Sequence, residues 1–258
     1  MKRHHGWPYV LSLAITALLL GAAAPASWAD EDGEEIPFDV ANVFFELNDT
    51  DGDLGIHALI DGEPWKELEI ETPDGRENLV IELGGRLRRQ GLTELFFESA
   101  EPTFDELSPE AFFRRFPEGE YEVEGVTLEG DELESTAIVT HLMPAPAENF
   151  EVNGEPLPDG CDGPLPTVSE PFTFTWDPVT QSHPEIGRTD EPIKVVRYEL
   201  IVEREEPALK FTIELSPDVT EVEIPEGLAE EGDEFKAEVL VREASGNQTA
   251  IESCFEVE

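Results

Sequence analysis

The chain has 258 residues, 60 of them Asp or Glu against 16 Lys or Arg, a formal charge of −44, and 39% of its residues are apolar. Such a charge makes nucleic acid and anionic membrane surfaces poor partners, and none is expected, because both are bound through clustered cations. It does not signify disorder, because the apolar residues fall in periodic segments able to build a core.

The first element is a targeting segment. "MKRHHGWPYVLSLAITALLLGAAAPASWADEDG" has a basic lead (Lys2, Arg3), an apolar run over residues 10–24, and Ser27-Trp28-Ala29 with small residues where a signal peptidase inspects. It reads as a signal peptide covering residues 1–29, because the run falls short of the ~18 apolar residues a membrane span needs. The mature chain, 258 − 29 = 229 residues, is therefore expected to be secreted or periplasmic, with no transmembrane segment after signal removal. At roughly 100 to 150 residues per domain this predicts two domains. The mature chain keeps 14 basic and 60 acidic residues, a charge of −46, and the whole chain has five lysines against 11 arginines. Acid excess, scarce lysine and export together suggest life in brine or seawater, where salt screens the self-repulsion, with a lineage of generally acidic proteins as the alternative.

After a flexible acidic stretch (30–38), residues 39–146 read as a β-meander or sandwich domain. "VANVFFEL", "GIHALI", "WKELEIE", "ENLVIEL" and "TELFFES" are short β runs, separated by turn chemistry that includes "NDTDGD", "DGEP" and "TPDGR". "GGRLRRQGL" reads as a loop or one helical turn. One short helix is marked at 108–116, with Ser108 as cap, Pro109 at the first position, Glu110 at the positive end and Pro117 as stop. "EYEVEGVTL" and "LESTAIVTHL" close the domain as half-buried antiparallel strands.

A Pro-rich lead-in (147–169) precedes a second domain (170–258) with clean two-residue alternation. Phe172, Phe174 and Trp176 share one face; Val196, Tyr198, Leu200 and Val202, then Phe211, Ile213 and Leu215, then Phe235, Ala237, Val239 and Val241 repeat the pattern. This predicts a β-sandwich. The fold class is accordingly mainly β, with two sandwich domains and one short helix.

"FTFTWDPV", "VVRYELIVE" and "EFKAEVLVREASGNQTA" resemble the B, C and F to G strands of a fibronectin type III domain, with Trp176 as core tryptophan, Tyr198 on the C strand and "SGN" as the last turn. The resemblance implies a binding or spacer module without chemistry. Two features depart from it: Phe235 stands where the family has tyrosine, so its tyrosine-corner bond is missing, and "TQSHPEIGRTDEPIK" lengthens the B to C connection. No RGD is present. The first half resembles uncharacterised exported bacterial β domains that precede such modules, which implies no function.

The two cysteines, Cys161 and Cys254, are expected to form one disulfide in an exported chain. Phe255 and Val257 take the core phase of the last strand, so Cys254 is expected to face outward and reach Cys161 on the lead-in, covering a sheet edge.

"NDTDGDLGIH" offers Asp49, Asp51 and Asp53 at the 1, 3, 5 spacing of a calcium loop, but Leu54 stands where an EF-hand has glycine and Ile60 where it has glutamate. Two readings remain: a looser calcium site from Asn48, Asp49, Asp51 and Asp53, or a tight turn in which Gly52 supplies positive φ. A zinc or iron site drawing on His57 ranks below calcium, and no other cofactor is expected. His141 is expected to be a packed or surface residue, and His183, in the long loop, to lack partners. Arg86, Arg88, Arg89, Arg114 and Arg115 gather within 30 residues; internal neutralisation by Glu82, Glu94, Glu98, Glu106 and Glu110 is expected, with an anion-reading patch as the alternative.

No G-x-S-x-G, HExxH, P-loop or dinucleotide signature occurs, so no catalytic residue is named. The expected function is exported, non-catalytic binding, adhesion or assembly with a protein or polysaccharide partner. The alternatives are a carbohydrate-active enzyme or accessory with its site in the first domain, and a calcium-stabilised spacer. Trp176, Tyr121 and Tyr198 fall on core phases, leaving Trp65 as the exposed aromatic a sugar would stack on.

Overall fold

The structure, a computed structural model, describes residues 36–258; the signal segment lies outside the described residues. The chain is mainly β. In the first half the strands are β1 (Val40–Asn48), β2 (Asp53–Glu71), β3 (Glu77–Glu82), β4 (Leu92–Glu98), β5 (Gly119–Thr127) and β6 (Glu132–Val139). Two short helices interrupt them, α1 (Leu87–Gln90) within "GGRLRRQGL" and α2 (Pro109–Arg115). Ser108 caps α2 by accepting from Ala111 N at 3.4 Å, so that helix starts where its cap and proline dictate.

"DGEP" does not reverse the chain. β2 runs through it as one 19-residue strand, with pairing irregularities between Asp61 and Trp65 and between Trp65 and Glu67. The reason is Trp65: its indole is fully buried, and a turn would carry it out of the core. Before the bend β2 pairs with β1 and β4, and after it with β3 and β5. Both limbs feed one core with Phe45, Leu47, Ile60, Leu68, Tyr121 and α2's Phe112. Tyr121 donates its hydroxyl to Pro117 O at 3.1 Å, a tyrosine corner in the half where none was expected.

The second half contains β7 (Glu151–Val152), β8 (Glu155–Pro156), β9 (Thr167–Val168), β10 (Thr173–Thr175), β11 (Val195–Arg204), β12 (Leu209–Leu215), β13 (Glu221–Glu223), β14 (Glu234–Glu243) and β15 (Gln248–Val257). The sheet β13-β10-β7-β8 faces the run β12-β11-β14-β15, and Phe172, Phe174, Trp176, Tyr198, Phe235 and Phe255 fill the space between. This is a fibronectin type III-like sandwich, with β10, β11, β14 and β15 at the sequence segments read as B, C, F and G. Phe235, the residue that replaces the family's tyrosine, stacks on Phe255 at 5.6 Å. The lead-in contributes Ala147, Phe150, Val152 and Val168 to this core.

The two cores hang on one sheet, ordered β12-β11-β14-β15-β1-β2-β5-β6. Its seam is a parallel pairing of β1 with β15, Glu46 opposite Gln248, Leu47 opposite Thr249 and Asn48 opposite Ala250. Further along β15 the lead-in takes over the same edge, through Gly160 opposite Ser253 and then β9. Cys161 and Cys254 are bonded across a separation of 93 residues, a loop whose closure is worth about 4 kcal/mol in the chain-entropy model. Cys254 does lie on the face opposite Phe255, but the lead-in covers it to 5% exposure, so it faces outward without being solvent-exposed.

Two features lock the halves together. The first is Asn247, in the turn between β14 and β15 and 1% exposed. Its Oδ1 accepts from Phe45 N at 2.9 Å and its Nδ2 donates to Thr140 O at 2.8 Å and Leu142 O at 3.1 Å. Asn247→Ala is expected to cost about 2–3 kcal/mol, because it strands an amide and two carbonyls away from water; the check is a lower urea midpoint at unchanged m-value.

The second lock is the long B to C connection. His183 does not lack partners: its Nδ1 accepts from Glu185 N and Ile186 N, so the ring proton sits on Nε2, which donates to Asp49 at 2.9 Å. Ile186 then enters the first core, Arg188 N donates to His141 O at 2.8 Å, and the Arg188 guanidinium pairs with Glu118. The extra length relative to the fibronectin pattern is thus a plug into the neighbouring body.

Candidate functional site

The aspartate loop is a tight turn in which the Asn48 side-chain amide donates to Asp51 Oδ2 at 3.4 Å. Asn48 Oδ1 accepts from Thr50 N at 3.1 Å and Asp51 N at 3.2 Å, an Asx-turn, and Gly52 sits at φ 65°. Asn48 Nδ2 donates to Glu252 at 3.1 Å, Asp49 is engaged by His183, and Asp51 is exposed. Asp53 points elsewhere: its Oδ1 is buried with no hydrogen-bond partner. Burial first, then Glu101, Asp51, Glu252 and Glu46, push its carboxyl up to about 6.

Next to that turn three other residues converge. Asp53, Gly55 and His57 alternate along one face of β2, opposite Leu54 and Ile56, which enter the core. His57 is 2% exposed and lies between the rings of Phe44 at 5.3 Å and Phe96 at 6.1 Å. Its Nε2 is 3.1 Å from Glu101 Oε1 and its Nδ1 3.7 Å from Glu46 Oε2. Gln248 Nε2 donates to the same Glu46 oxygen, Oε2. Burial raises its carboxyl above the ordinary glutamate range, with Glu101 and Glu98 adding to the rise while His57 and Gln248 oppose it.

Glu101 reaches this place because its loop is pinned at both ends. Ser99 N donates to Ile56 O and Ser99 Oγ accepts from Ile56 N; beyond Glu101, Phe104 N donates to Gly52 O at 2.8 Å. The carboxylate lies over Gly55, where a Cβ would come within 2.3 Å of Glu101 Oε1. Sequence reasoning missed this group because its members come from two strands and a loop with no motif spacing. The available signal was Gly55 inside a strand, which marks a close approach by another group.

The arginines divide. Arg88 bonds Glu82 at 3.1 Å and Glu67 at 3.2 Å; among the described residues no ion pair joins Arg86, Arg89, Arg114 or Arg115 to an acid. Arg114 and Arg188 line one cleft with Phe113, Glu118 and His141. His141 is packed as expected, stacked on Phe113 at 4.2 Å. Trp65 is not exposed, and among the described residues every Trp and Tyr is buried: Trp65, Tyr121, Trp176 and Tyr198. Among the described residues Phe96, at 55% exposure, is the aromatic ring most open to solvent.

No family model matches the chain, and no curated protein matches it. Among solved structures, a two-domain fibronectin type III segment of chicken tenascin is similar at 10% identity and a TM-score of 0.30, covering 85% of this chain and 98% of that one. The FN1–FN3 domains of chicken CNTN1 are similar at 10% identity and a TM-score of 0.30, covering 86% of this chain and 65% of that one.

Proposed function

We propose that the protein is an exported, non-catalytic binding or assembly module that presents two β bodies as one rigid unit to a protein or polysaccharide outside the cytoplasm. The observation that carries this reading is the coupling of the halves through the β1 to β15 seam, the plug and Asn247. Such coupling removes the interdomain freedom that a tethered module otherwise keeps. The burial of Trp65 argues against sugar stacking on Trp or Tyr and so favours a protein partner. The test is a screen of residues 30–258 against glycans and extracellular proteins at molar salt. Saturable binding to a protein supports the reading; turnover of a glycan by the purified chain overturns it.

The acidity makes a second prediction. Glutamates stand directly opposite one another on neighbouring strands, Glu69 with Glu124, Glu71 with Glu122 and with Glu77, and Glu124 with Glu134. Opposed like charges destabilise a sheet, and salt screens them. Raising NaCl from 0.1 to 2 M is expected to add about 1–2 kcal/mol, seen as a Tm rise of about 3–6 °C. A flat or falling Tm would contradict the adaptation to brine.

A further inference from the structure

We propose that Glu46, His57 and Glu101 form a binding site for one divalent transition-metal ion of the zinc class, held by an imidazole nitrogen and two carboxylate oxygens. One ligand atom from each residue lies within 4.8 Å of the other two. Zinc bonds of about 2.0–2.2 Å place neighbouring ligand atoms about 3.0–3.6 Å apart; Glu101 now faces Nε2 and Glu46 faces Nδ1, so closing the shell requires both glutamates to swing toward one ring nitrogen.

Four observations distinguish this group from the general run of surface acids. It contains a buried histidine, and imidazole with carboxylate is a donor set suited to zinc, whereas calcium and magnesium take oxygen alone. The glutamate side chains remain 19% and 23% exposed, which leaves a path for an ion to enter. Gly55 keeps open the space that the Glu101 carboxylate occupies, and both ends of the Glu101 loop are tied to β2. Finally, Asp53 Oδ1, on the same face of β2 two residues before Gly55, is buried with no hydrogen-bond partner, an unmet acceptor of the kind a bound ion's water satisfies when it lies within reach. An ion here would fasten β1, the seam strand, to β2 and to the loop after β4. Three protein ligands leave a fourth position for water.

The proposal is independent of the partner reading above, since a metal-free module can still bind a protein. The experiment is calorimetric titration of Zn²⁺ into EDTA-stripped protein, residues 30–258, in molar NaCl to suppress loose counterion binding, with Tm read in parallel. One saturable equivalent with micromolar or tighter affinity and a Tm rise of several degrees is expected. His57→Gln and Glu101→Gln should each weaken binding at least tenfold, while Asp49→Asn together with Asp51→Asn should leave it within threefold. Glu101→Gln keeps the shape of the side chain and decides the matter should His57→Gln fail to fold. Many weak equivalents, tighter binding of Ca²⁺ than Zn²⁺, or affinity untouched by Glu101→Gln would each overturn the site.

Discussion

Gly187→Ala is expected to destabilise the protein by about 4 kcal/mol and lower its Tm by about 8–16 °C. Gly187 holds φ at 71°, and a Cβ there would lie 2.0 Å from the backbone oxygen of His141. That oxygen already accepts from Arg188 N, so neither partner can yield without breaking the plug. Three losses add up. A left-handed alanine costs about 1–2 kcal/mol, withdrawing Ile186 from the first core costs about 1.5–3 kcal/mol, and the released hydrogen bonds cost about 1 kcal/mol each. Gly154→Ala is the control, because Gly154 has φ 78° but nothing within 4 Å of its added methyl. If the two variants melt together, the plug is not held as described.

The second large effect depends on pH and centres on Glu238. This carboxylate stands on β14 between Ile201 and Glu252 of the flanking strands, with Lys236 and Leu240 on the same face. Burial, then Glu252 and Glu46, push it up to about 8 against the opposing pull of Lys236 and Lys210. Its folded pKa is above its unfolded one, so the folded state keeps a proton that the unfolded chain releases. The associated stability is fully present below about pH 4.5 and is lost as pH rises to about 8.

Glu238→Gln mimics the protonated form at every pH. It should match the parent at pH 3.5 and exceed it by about 3 kcal/mol at pH 8.5, the full shift being discounted for partial solvation. Urea melts at the two pH values check this, and an equal gain at both would show that the effect is packing and not charge. Asp53, Glu46, Glu69 and Glu124, all raised, push the parent in the same direction.

The alternating segments were the legible part of the sequence. Residues such as Tyr198, Leu200 and Val202 declare their own face, because period 2 is a local property and burial follows from it. Ser108 and Pro109 set the start of α2 for the same local reason. Trp65 was misread because turn residues precede it, and tertiary burial overruled them. The cysteine pairing was legible because the sequence holds two cysteines and reads as exported. The contacts of His183 and Asn247 were not, because each bonds a segment more than 100 residues away. The group around His57 was hidden likewise: Glu101 stands 44 residues from it, and no spacing rule links a strand to a loop that doubles back along it.

The parallel seam has a mechanical consequence. β1 and β15 run in the same direction side by side, one near the start of the described chain and the other at residues 248–257. A pull applied through the polypeptide on either side drags these neighbours past each other along their length. The registered bonds at Glu46, Leu47 and Asn48 then share the load together instead of opening one after another. Tension delivered through the backbone therefore loads this pairing in shear, the direction in which parallel neighbours resist separation together.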